Sequence, residues 1–180
     1  MEIYNMATTR RHNKITSTIT GEIFTRYRDL VEKGFIVPSS EEMALVYYGS
    51  MKESYLQLVD VDAIKDKVYF IENTINDLEY VQPDFFMFKN NPYLENKRET
   101  RTAGLPDLVV EVWSEGNIAY ERSQKLSLYS SSPITEHWYI DQDKNTVECY
   151  FCNTRLPDQS IKEILITQDN IMLDLRYLAL

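Results

Sequence analysis

The sequence predicts one mixed α/β domain of the α+β kind, with a mixed β-sheet flanked by helices. Three observations carry that expectation. A long amphipathic helix opens the chain, a series of short β-type runs follows, and a second helix stands between two of the later runs. At 180 residues the chain holds one hydrophobic core, and no internal repeat, low-complexity tract or linker divides it. Residues 1–180 therefore read as a single domain.

The opening helix covers about residues 9 to 33. Ile15, Ile19, Ile23, Tyr27 and Leu30/Val31 recur at spacings of three and four, which lines them on one apolar stripe. Thr8 or Thr9 suits the start and Gly34 the end. Arg10, Arg11, Lys14, Arg26 and Arg28 occupy the other face. Between Pro38 and Pro83, the runs Met43–Tyr48, Tyr55–Val61 and Val68–Glu72 read as strands.

The second half is more legible. Val81-Gln-Pro-Asp-Phe-Phe-Met-Phe88 reads as a strand entered through a proline, and Asn90–Gly104 as a polar loop holding Lys97, Arg98 and Arg101. Leu105-Pro-Asp-Leu-Val-Val-Glu-Val-Trp113 reads as a strand buried on both faces, since apolar residues occupy both parities. A helix follows at about 118 to 131, then a hairpin of His137–Ile140 with Val147–Phe151 around Asp141–Asn145. Ile161–Thr167 and Ile171–Leu178 form a closing pair.

Composition excludes several classes. With 43% apolar and 26% charged residues the chain is neither disordered nor fibrous. No run of about 18 apolar residues is available to span a membrane. Met1–Lys14 is polar and lacks the apolar core of a signal peptide. Cys149 and Cys152 lie three apart in a β-type run and so point to opposite faces, as two plain cysteines in a reducing, cytoplasmic setting. The net charge of −9 argues against a basic protein that wraps nucleic acid. Residues 38–83, with nine acidic and three basic residues, supply −6 of it.

Glu111 is the anomaly. An ionised carboxylate inside an apolar strand costs several kcal/mol unless compensated. Either a basic side chain pairs with it or it holds a metal ion. If Asp84–Phe88 and Leu108–Trp113 pair antiparallel, Asp84 falls beside Glu111, with side chains ~5 Å apart. Two carboxylates so close call for a cation, and hard oxygen donors suit Mg²⁺. Asp107 shares the parity of Glu111 but lies four residues away, ~13 Å along the strand. Glu121, Lys125 and Tyr129 occupy one face of the following helix. Lys125 is either half of a surface pair with Glu121 or a cation reaching the two carboxylates.

Pro83-Asp84, Pro106-Asp-Leu-Val-Val-Glu-Val-Trp-Ser114, Glu121-x-x-x-Lys125-x-x-x-Tyr129 and Glu136-His-Trp-Tyr-Ile-Asp141 resemble the Uma family of restriction-endonuclease-like proteins. That family belongs to the PD-(D/E)XK nuclease superfamily. The resemblance spans roughly residues 8 to 178 and is specific over 81–141. It implies a restriction-endonuclease-like core and Mg²⁺- or Mn²⁺-dependent hydrolysis of DNA phosphodiester bonds. It places the first acid on Asp84 and the second on Glu111, the two metal ligands. Trp113 stands where the superfamily lysine would, and the family's displaced lysine falls on Lys125. Asp107 and Glu121 become supporting groups. Arg10, Arg11, Lys14, Lys97, Arg98 and Arg101 are the expected DNA backbone contacts. A two-fold duplex adds a homodimer as an expectation. The alternative is a non-catalytic interaction or regulatory module on the same fold.

Overall fold

The computed structural model describes residues 10–33, 37–39, 42–45, 81–89, 93–96, 101–113, 119–132 and 134–176. The predicted strands at 55–61 and 68–72, the last three residues of the one at 43–48, and the caps at Thr8, Thr9 and Gly34 lie outside them.

The opening helix forms as predicted but in two pieces, α1 (Arg10–Arg26) and α2 (Arg28–Glu32). They meet at Tyr27, whose carbonyl accepts the N–H groups of both Leu30 and Val31 at 2.9 Å, so the chain turns without stranding that oxygen. Tertiary contacts fix the joint: Tyr27 is buried and its hydroxyl donates to Asp169 Oδ2 at 2.5 Å.

Two short strands, β1 (Val37–Ser39) and β2 (Glu42–Leu45), precede β3 (Phe85–Phe88). The predicted loop at 90–104 is corrected by the structure. It carries β4 (Tyr93–Asn96) antiparallel to β5 (Arg101–Gly104), and β5 also pairs in parallel with β2. Backbone pairing satisfies the N–H and C=O groups of these strands whatever their side chains, so a polar run did not exclude strands.

The main sheet is completed by β6 (Leu108–Trp113), β7 (Glu136–Asp141), β8 (Thr146–Phe151), β9 (Thr154–Arg155), β10 (Gln159–Ser160), β11 (Glu163–Ile166) and β12 (Ile171–Asp174). Its order is β1-β3-β6-β7-β8-β10-β11-β12, with β9 on β8. Within it β6 and β7 are parallel, because α3 (Ala119–Ser131) carries the chain back between them, and the other pairings are antiparallel. The sheet is therefore mixed, as expected. The predicted hairpin at 137–151 and the closing pair both form, the latter as β11 and β12.

Alternation along β3 and β6 divides the core in two. Phe85, Met87, Leu108, Val110 and Val112 face α1 and pack with Ile15, Ile19 and Ile23. Phe86, Phe88 and Val109 pack with Tyr129, Ile134 and Tyr139 on the α3 side. By parity Glu111 belongs to that second face. Cys149 is buried, Cys152 is exposed, and neither forms a disulfide. Among the described residues no helix is long and apolar enough to cross a membrane.

Candidate active site

Strand register builds the site. Phe85 pairs with Val110 and Phe86 with Val109, so one step further Asp84 lies opposite Glu111. Asp84 stands just before β3 begins, and its Oδ2 accepts the backbone N–H of Val112 at 2.7 Å. That bond locks the first acid onto the strand that carries the second.

Glu111 is 1% exposed. Lys125 Nζ donates to its Oε2 at 2.7 Å, and the Tyr129 hydroxyl donates to its Oε1 at 2.7 Å. Lys125, itself 4% exposed, also donates to the carbonyl of Gln82 at 3.1 Å, just ahead of Asp84. The buried side chains of α3 are Glu121, Lys125 and Tyr129, the face read from their spacing. Of the two readings of Lys125, the geometry selects the inward one, and both readings of Glu111 now bear on a single place.

The electrostatics follow from burial. Desolvation pushes the Glu111 carboxyl up to about 7, the nearby Asp84 charge adds to the rise, and Lys125 pulls against both. Burial and the Glu111 charge hold the Tyr129 hydroxyl well above its ordinary range, so it remains a donor.

One further group reaches the site. His12, the third residue of α1, places Nε2 2.8 Å from Asp84 Oδ1. Burial works against a charged imidazole, but the Asp84 carboxylate outweighs it and holds the His12 pKa above its ordinary value. Sequence reasoning singled out no role for His12. The available signal was its position three residues before Ile15, which continues the buried stripe one turn towards the helix start.

The other expected residues distribute differently. Asp107 is buried at the far end of β6, where its Oδ2 accepts the Lys89 N–H at 2.7 Å and its backbone N–H bonds Met87. Those bonds fix the β3–β6 connection. Glu121 is buried on the Lys125 face. Arg10 and Lys14 are exposed on α1, whereas Arg11 is half-buried and donates to Asn145 Oδ1 at 2.7 Å. Asn145 closes the β7–β8 turn with φ 58°, a conformation its short side chain tolerates. Lys97 and Arg98 lie outside the described residues, and of Arg101 only the backbone in β5 is described. Trp113, in the superfamily lysine's place, packs at a tilt against Tyr139 with ring centroids 4.6 Å apart and carries the Arg122 guanidinium 5.1 Å above its ring.

Among the described residues no group of three or more His, Cys, Asp and Glu side chains forms a metal cage. Two carboxylates are nevertheless the usual protein share of a Mg²⁺ site. Glu111 is raised by burial and by a neighbouring negative charge, a combination that a cation between the acids would relieve. The donor set therefore fits a hard divalent ion.

Residues 54–176 match the family model Uma2, described as "putative restriction endonuclease". The fold is similar to that of a crystal structure described as a "putative nuclease" of DUF820 from Anabaena variabilis, at 13% identity and a TM-score of 0.61. That match covers 97% of this chain and 83% of the other. No curated protein matches the chain. The family match covers more than half of the residues and contains both acids, Lys125 and Tyr129, so this chain belongs to the Uma2 family.

Proposed function

We propose that this chain is an endonuclease that hydrolyses DNA phosphodiester bonds with the help of Mg²⁺ or Mn²⁺. The observation that carries the reading is the meeting of Asp84, Glu111 and Lys125 where β3, β6 and α3 come together. Asp84 and Glu111 would hold the ion. When bound it would lower the pKa of a water and neutralise charge on the phosphate.

The chain's own residues do the rest. Val112 N–H fixes one oxygen of Asp84, and Lys125 and Tyr129 fix one oxygen each of Glu111. A carboxylate pair held by such bonds needs little rearrangement on binding an ion. Lys125 adds a positive charge that stays beside the acids and stabilises charge developing on the attacked phosphate. Asp107 and Glu121 act as supporting groups, the first by fixing the β3–β6 connection. Arg10, Arg11 and Lys14, at the start of the same helix as His12, are the backbone-contacting candidates among the described side chains. Two copies of the chain would address the two strands of a duplex.

Incubating plasmid DNA with the protein and Mg²⁺ or Mn²⁺ tests the reading. Nicked and linear products are expected, absent with EDTA and absent in Lys125→Ala. An uncut plasmid with both metals overturns it and leaves the non-catalytic module.

A further inference from the structure

We propose that His12 is a positioning residue of the nuclease site, holding the Asp84 carboxylate in the orientation in which it binds the metal ion. The inference rests on the reading of Asp84 as a metal ligand.

The geometry is specific on both sides of Asp84. Oδ2 is held by the Val112 N–H at 2.7 Å and Oδ1 meets His12 Nε2 at 2.8 Å, so the carboxylate is gripped from the sheet and from α1. Without His12, the Val112 bond is the one restraint among the described residues against rotation about the last torsion of Asp84. A ligand that samples several orientations loses affinity for its ion, as seen when groups that orient metal ligands are removed.

The element that brings His12 is itself anchored. Ile15, Ile19 and Ile23 are fully buried against β3, β6 and the later strands. Arg11 is tied to the β7–β8 turn through Asn145, and Tyr27 at the other end of α1 is tied to Asp169. A residue at position 12 of such a helix keeps its place. The imidazole is mostly buried, with its side chain 13% exposed, rather than lying loosely on the surface. The family match begins at residue 54, so this contact comes from a segment that the match leaves out.

The test compares His12→Ala and His12→Gln with the unaltered protein and Asp84→Asn. The readouts are Mn²⁺ affinity by calorimetry, kcat and KM on DNA, and thermal unfolding without metal. His12→Ala should weaken Mn²⁺ binding by about 10–100-fold and lower kcat with KM for DNA unchanged. His12→Gln places an amide N–H near the position of Nε2 and should recover most of both. Unchanged Mn²⁺ affinity in His12→Ala overturns the inference, and so does His12→Gln behaving like His12→Ala. If Asp84→Asn binds Mn²⁺ as well as the unaltered protein, the metal-ligand reading of Asp84 fails, and His12 with it. If Asp84→Asn loses the ion while His12→Ala keeps it, only the role of His12 is refuted.

Discussion

Lys125 donates to Glu111 Oε2 at 2.7 Å, and both side chains are buried between α3 and β6. Such a pair contributes less to stability than its short distance suggests, because desolvating two charges offsets most of their attraction. Breaking it from one side is another matter. Lys125→Met should cost about 3–5 kcal/mol at pH 8, where it removes the cation that offsets the desolvation of Glu111. At pH 5 the carboxyl holds a proton and the loss should shrink to well under half. Urea unfolding at the two pH values measures this, and an equal loss at both would refute the coupling.

Glu111 and His137 should tilt the pH dependence of stability in opposite directions. The folded-state pKa of Glu111 is raised to about 7 from 4.5, with burial the main cause. Its contribution is therefore complete below pH 4.5 and is lost as pH rises through 7. His137 is fully buried, stacked on Tyr150 with its Nδ1 3.1 Å from the Tyr139 hydroxyl, and burial lowers its pKa to about 4 from 6.5. Its contribution is complete above pH 6.5 and is lost as pH falls through 4. Each effect is worth about 3 kcal/mol at full extent. Glu111→Gln should make stability rise more steeply with pH over this range, and His137→Phe should make it fall. Denaturant titrations between pH 4 and 8 without metal check both signs.

Metal binding should release a proton from Glu111. A cation beside the carboxylate favours its ionised form, so near pH 6.5 Mn²⁺ binding should expel part of one proton. Calorimetry in buffers of different ionisation enthalpy reads the number, which should fall towards zero by pH 9. Tyr129→Phe should increase the release at pH 7, because loss of the bond to Oε1 raises the carboxyl further.

Contact of α1 with DNA should be electrostatic and indifferent to sequence. Arg10→Ala and Lys14→Ala should each weaken binding evenly across unrelated duplexes and lower the salt slope by about 1. Neither should alter Mn²⁺ affinity, since both side chains are exposed. Fluorescence anisotropy from 50 to 200 mM salt, with Ca²⁺ present, makes the measurement. An overall charge of −9 predicts modest affinity throughout.

Much of the site was legible because it breaks local rules. Glu111 stands out as a charge in an apolar strand, and Lys125 and Tyr129 follow from helical spacing once that carboxylate needs partners. Placing Asp84 needed only the assumption that β3 and β6 are antiparallel, which their register bears out. His12 was hidden for the opposite reason. A polar residue near arginines at a helix start violates nothing, and its approach to Asp84 depends on how α1 lies across the sheet. The strands β4 and β5 were missed because their pairing partners, not their side chains, make them strands. Asp107 shares the parity of Glu111, yet the length of β6 puts it at the other end, where it serves the β3–β6 connection.

Asp84 and Glu111 are held as one unit, so conservative loss of either should remove the chemistry while sparing the fold. The decisive measurement is the rate of plasmid cleavage in Mn²⁺ by the unaltered protein, Asp84→Asn and Glu111→Gln, with thermal unfolding followed in parallel. Cleavage by the unaltered protein, reduced at least about 100-fold in both folded variants, is the expected result. Cleavage that persists in either folded variant, or that never occurs with Mn²⁺ or Mg²⁺, contradicts the assignment.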